Sequence, residues 1–180
     1  MMRGRRLLTD TAGTAAAEMA MTLPFVLVLV AGAFEMGHYF YSEHRLVEGV
    51  RDAARYAGRH AQNEFDTNCG TTLASDNAIV TDAELIASKG SLDATDEDRL
   101  WGWGQDAADF SITVTCAMTA DDGDASTADQ AMSGIYRDST VGAPLVTVTA
   151  SIPHPTVFGY IGVPMGLTLN ATSQSAVMGI

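Results

Sequence analysis

Apolar residues fill the first part of the chain and then thin to a single stripe. Residues 14–34 carry one charged side chain, Glu18. The rest are apolar, small or hydroxyl-bearing, with an apolar centre Leu23-Pro24-Phe25-Val26-Leu27-Val28-Leu29-Val30-Ala31. About 20 mostly apolar helical residues cross a bilayer core, and this block has 21. It is longer than the roughly 7–15 residue core of a secretory signal peptide. A signal peptide is the rival reading, with Ala31-Gly32-Ala33 as the nearest small-residue site, but the helical pattern runs on past it. Pro24 removes one backbone donor and can kink the helix, which membrane helices tolerate.

Beyond the block, Leu46, Val50, Ala53, Ala54 and Ala57 recur at helical spacing. Arg51, Arg55 and Arg59 occupy the opposite face, and Gly49 and Gly58 weaken the helix slightly. Membrane block and amphipathic stripe therefore predict one helix over 14–60, about 70 Å long, with a span at 14–34 and an extramembrane continuation at 35–60. Tyr39, Phe40 and Tyr41 fit an interfacial aromatic belt. His38 and His44 are six apart and do not share a helical face, which argues against a metal site between them.

Residues 61–180 suffice for one modest domain. A short helix is expected over 82–88, capped by Thr81 or Asp82 and closed by Gly90. Strands are expected over 110–116, which alternates strictly, over 145–152, with Thr and Val at period two, and over 167–177. The fold class is α+β: a long N-terminal helix whose alanine stripe packs on a small antiparallel sheet. The stretch 153–164 is an apolar Pro/Gly loop, either packed down or in contact with a partner, and 121–130 is a polar loop. Trp101-Gly102-Trp103-Gly104 supplies either core anchors or an adhesive tip.

Charge narrows the function. The chain has 22 acidic and 10 basic residues, net −12. From residue 61 on, Lys89, Arg99 and Arg137 face 16 carboxylates, net −13. Such a surface repels nucleic acid. Arg3, Arg5 and Arg6 precede the apolar block. By the positive-inside bias they put the N-terminus in the cytoplasm and the acidic domain outside an inner (plasma) membrane crossed once. In an oxidising outer compartment the only two cysteines, Cys69 and Cys116, are expected to form a disulfide; the alternative is two free thiols with Cys116 buried. The chain has no nucleophile elbow, phosphate loop or zinc-protease motif, so no enzyme, cofactor or metal centre is expected. His154 stands in a Pro-His-Pro turn and is expected to be exposed and idle. The acidic groups Asp93, Asp96, Glu97, Asp98 and Asp121, Asp122, Asp124 lack the spacing of an EF-hand loop and are expected to be solvated. Asn170-Ala171-Thr172 matches a glycosylation sequon but lies in an expected strand.

Gly13 followed five places later by Glu18 resembles the processing site of type IV prepilins. The run Ala15 to Leu27, the stretch Gly32-Ala33-Phe34-Glu35-Met36-Gly37 and the stretch Val50-Arg51-Asp52-Ala53-Ala54-Arg55-Tyr56-Ala57 resemble TadE-like proteins, pilin-like minor components of tight-adherence (Tad/Flp) pilus systems. The resemblance covers residues 9–60. It implies a leader, 1–13, removed by a prepilin peptidase, with Thr14 as the mature N-terminus. It implies other pilin-like subunits of the Tad machinery and membrane lipid as partners. It also implies a pairing of Glu18 with a neighbouring subunit's terminal amine, which suits a carboxylate that burial would leave uncompensated. Snorkelling of Glu18 to the headgroups is the plainer reading. Met19 stands where such sites usually carry an aromatic residue. Glu35 is either solvated by headgroups or paired with an arginine of an adjacent subunit. The function implied is assembly or anchoring of a pilus. The alternatives are a minor pseudopilin of a type II-like secretion system or a single-pass ligand-binding sensor.

Overall fold

The computed structural model describes residues 12–105, 108–117, 119–120, 130–131, 134–137, 139, 142–154, 156–157 and 166–178. A single helix, α1 (Ala12–Ala57), runs for 46 residues through Pro24. From Gly13 to Phe34 all of its residues but Ala31 are exposed; Phe25 and Leu29 are both 74% exposed. The described residues leave nearly all of this apolar surface uncovered, unlike that of a core helix, and the helix is long and apolar enough to cross a membrane. The second half of α1 is buried along Leu46, Val50, Ala53, Ala54 and Ala57.

The helix ends at Ala57, three residues before the expected 60. Arg59 and His60 donate their amides to the carbonyls of Tyr56 and Ala57, the i to i−3 bonds that tighten a last turn. Gly58 allows the exit: a Cβ there would stand 2.8 Å from the Ala176 carbonyl oxygen.

The sheet contains β1 (Thr71–Thr72), β2 (Asp109–Ala117), β5 (Ala143–Pro153) and β6 (Thr168–Ala176), in the spatial order β1-β2-β5-β6. All neighbours are antiparallel, with Ile112 opposite Val148 and Ala150 opposite Ala171. Its inner face presents Ile112 and Val114, then Val146, Val148, Ala150 and Ile152, then Leu169, all buried with the alanine stripe of α1 in one core. A separate ribbon pairs β3 (Thr119–Ala120) with β4 (Gln130–Ala131). The polar stretch between them, with Asp121, Asp122 and Asp124, lies outside the described residues, as does most of 153–164.

The second helix, α2 (Ala78–Ser88), begins four residues before the expected start, with Asn77 rather than Thr81 or Asp82 as its cap. The Asn77 side-chain oxygen accepts the Ile79 amide at 2.9 Å. Asp82 instead accepts the Tyr56 hydroxyl at 2.9 Å, and Ile79 and Val80 join the core. Gly90, at φ +85°, follows the end of α2. Where the helices cross, Gly49 meets Ala87 so closely that a Cβ would lie within van der Waals exclusion of the Ala87 carbonyl. The tryptophan pair divides. Trp103 packs against the core beside Phe110, whereas Trp101 is 55% exposed. Gly102 between them touches the end of β5. Cys69 and Cys116 form a disulfide that links the segment after α1 to β2, with a Cα–Cα distance of 5.5 Å.

Candidate functional site

The residues of the expected processing site lie on the bare part of α1. Gly13 has nothing near its missing side chain, and Thr14 and Glu18 are exposed. Five residues of helix set Glu18 about 7.5 Å along the axis from Gly13. Among the described residues Glu18 has no partner within the chain.

Glu35 is placed differently from either expectation. It is only 7% exposed, at the level where the bare helix meets the head. Its Oε2 accepts the backbone amide of Val157 at 3.0 Å. Its Oε1 lies 3.5 Å from Nε2 of His154, an ion-pair distance but too long for a well-formed hydrogen bond. The carboxylate is thus engaged inside its own chain and has almost no surface to offer headgroups or a neighbour's arginine.

His154 is likewise not the exposed turn residue expected. Its side chain is fully buried. The ring packs against those of His38 and Tyr39, each with centroids 5.2 Å away, and its amide donates to the Leu167 carbonyl at 2.8 Å. Removal of the ring from water pushes its pKa below the ordinary histidine range. The neighbouring His38 pushes the same way, and Glu35 opposes both. His154 is therefore a neutral imidazole near pH 7. Its two nitrogens, Nδ1 of His38 and the hydroxyl of the buried Ser42 have no hydrogen-bond partner among the described residues.

The pattern carried a signal for this cluster. Stepping back from Leu46 by the spacing of the buried stripe reaches Ser42, then Tyr39 and His38, then Glu35. The core face of α1 thus continues toward its bare segment with polar residues in place of alanines. Beside it lies a cleft of about 300 Å³ walled by Tyr41, Leu100, Trp101 and Val157, with His38 and Ser42 also lining it. No group of three or more histidine, cysteine or carboxylate side chains is arranged to hold a metal ion among the described residues.

Glu35, through the Val157 amide, and the buried His154 ring, packed on His38 and Tyr39, hold the chain at 154 and 157 against α1 where its bare part begins.

No curated protein and no solved structure gives a significant match to the chain. Residues 13–55 match the family model described as TadE-like protein, the family that the sequence resembles, and this matched stretch holds Gly13, Glu18, Glu35 and His38.

Proposed function

We propose that the protein is a membrane-anchored, TadE-like minor pilin that takes part in assembling or anchoring a tight-adherence pilus. One observation carries this reading. The segment that matches the TadE-like family, 13–55, is one unbroken helix, bare and apolar at its start and buried in a folded head at its end. The role follows from this division. The bare half holds the protein in the inner membrane, with the three leader arginines retained in the cytoplasm and the acidic head outside. A prepilin peptidase cuts after Gly13. The new amine of Thr14 and the carboxylate of Glu18 then lie at the same end of the membrane helix. There, Glu18 pairs with the terminal amine of an adjacent pilin-like subunit of the Tad machinery. The protein's work is structural and needs no cofactor.

The test is the mature N-terminus of membrane-extracted protein, read by intact mass and terminal peptide sequencing. A start at Thr14 is expected, and Gly13→Val should leave the leader attached. A start at Met1 or Met2 would remove prepilin processing and leave a plain membrane anchor. A start near Phe34 would make the apolar run a signal peptide and end the membrane reading.

A further inference from the structure

Seven basic residues lie beyond the leader, and five of them gather on one side of the head. Arg45, Arg51, Arg55 and Arg99, together with Glu48 and Asp52, line a groove of about 320 Å³ along the outer face of α1. Arg59 lines the adjoining depression with Arg55. This is the basic surface of a head that otherwise carries net negative charge.

Its own carboxylates do not neutralise it. Asp52 is shared between Arg55 at 3.9 Å and Arg99 at 3.5 Å, and Glu48 lies 3.5 Å from His44. No carboxylate among the described residues comes within ion-pair distance of Arg45, Arg51 or Arg59, and Nε of Arg45 is buried without a hydrogen-bond partner. Like charges four residues apart, as at Arg51, Arg55 and Arg59, disfavour an isolated helix. Among the described residues only Arg55 of the three has a carboxylate within ion-pair distance, so most of that cost has no return inside the chain.

Headgroups are too distant to be the counter-charge for most of the groove. Counted from the aromatic belt that ends at Tyr41, Arg51 lies about 15 Å along the helix and Arg55 about 21 Å, whereas screening confines surface charge to about 8 Å at physiological salt. An acidic protein surface is the fitting partner, and this chain has one beside the groove. The segment from Ser91 to Asp98 bends back on itself, with the Thr95 amide donating to Asp93 at 2.9 Å and Lys89 holding Asp98 at 3.0 Å. It leaves Asp93, Asp96 and Glu97 exposed immediately before Arg99.

We propose that the arginine groove on α1 docks the acidic 93–98 segment of a second copy of this chain. A positive patch beside a negative one is complementary to itself across a twofold axis, so each copy supplies both halves of the contact. The patch is small for a free-standing interface. Copies confined to one membrane surface meet at a raised effective concentration, and a modest contact then becomes occupied. The proposal rests on membrane anchoring in the reading above but not on cleavage at Gly13, so the uncleaved chain serves for its test and the two fail separately.

Full-length chain carrying donor or acceptor labels would be reconstituted into phosphatidylcholine vesicles and energy transfer between copies followed with salt. Two charge-reversed forms would be compared, R51E/R55E and D93K/E97K, each checked for an unchanged thermal melt. The expected result is association that falls roughly tenfold between about 0.05 and 0.5 M salt, is lost in either reversed form alone, and returns when the two are mixed. Milder R51Q/R55Q serves if a reversed form fails to fold, and should weaken association in the same direction. Energy transfer indifferent to salt and to both reversals would place the contact in the membrane helices and overturn the proposal. A mixture that stays apart although both forms are folded would also overturn it. So would an arginine effect seen only as binding of the head to vesicles with anionic lipid.

Discussion

Glu35 and His154 show how a single side chain changes meaning once its neighbours are known. By position Glu35 is a carboxylate just past an apolar block, for which water or a foreign arginine is the natural partner. It is instead an acceptor for Val157 in the chain's own fold. Nothing near Glu35 in sequence signals this, because Val157 is 122 positions away. Glu35→Ala leaves the Val157 amide without its acceptor and should destabilise the head by about 1–3 kcal/mol, measurable by thermal unfolding of the full chain in detergent. The pH dependence has a definite sign. The folded pKa of His154 lies below the unfolded value, which is about 6.5. Between the two the unfolded chain binds more protons. The stability gained by keeping the ring neutral is therefore complete above about pH 6.5 and erodes as pH falls below it. The melting temperature should drop on going from pH 7 to 5. The drop should shrink in His38→Gln, which removes a neighbour that disfavours the charged ring. It should grow in Glu35→Gln, which removes one that favours it. Identical pH profiles in all three proteins would dismiss His154 as their origin.

At the scale of elements, the parts with long-range periodicity could be seen in advance and the short ones could not. The long helix, its buried stripe and strands β2, β5 and β6 follow from spacing, since each repeats its pattern over at least seven residues. Strands β1, β3 and β4 have two residues apiece, too few to show alternation; pairing with a neighbour creates them. The start of α2 was hidden because Thr81 and Asp82 also suit a helix cap, whereas burial of Ile79 and Val80 and the Asn77 cap set the start earlier. Glycine is the sharper case. By propensity Gly49 only weakens α1, and alanine should gain about 1 kcal/mol there. The contact with Ala87 reverses that sign, because the added Cβ meets backbone that cannot rotate aside. Gly49→Ala should lower stability by about 1–3 kcal/mol, the usual range for overpacking. Gly37→Ala, at a position with nothing within 4 Å, should be neutral or slightly stabilising. Equal effects at the two positions in chemical or thermal melts would mean that α1 and α2 do not approach as closely as this.

For the molecule as a whole, what matters is how the head holds a helix that continues beyond it as a bare rod. Apolar composition marks the rod in the sequence and helical spacing marks the face of α1 that the head covers, but not the distant groups that meet it. Fastenings stand at both ends of the buried half of α1. Near the bare segment, Glu35 holds the chain after β5. Past the far end, Cys69 is bonded to Cys116 of β2, closing a separation of 47 residues. A cross-link of that span stabilises by about 4 kcal/mol in the chain-entropy account. Cys69→Ser with Cys116→Ser, or reduction of the native protein, should therefore lower the melting temperature of the head markedly. Its effect on the two ends should differ. Amides of β1 and its pairing partners Thr113 and Val114 lie beside the disulfide and should exchange faster without it. The Val157 amide, held by Glu35 at the other end, should keep its protection under conditions where the head stays folded. Hydrogen exchange on oxidised and reduced full-length chain separates the cases. Selective loss at the β1 edge means two independent grips on one helix, whereas uniform loss that includes Val157 means the head holds the rod as a single cooperative unit.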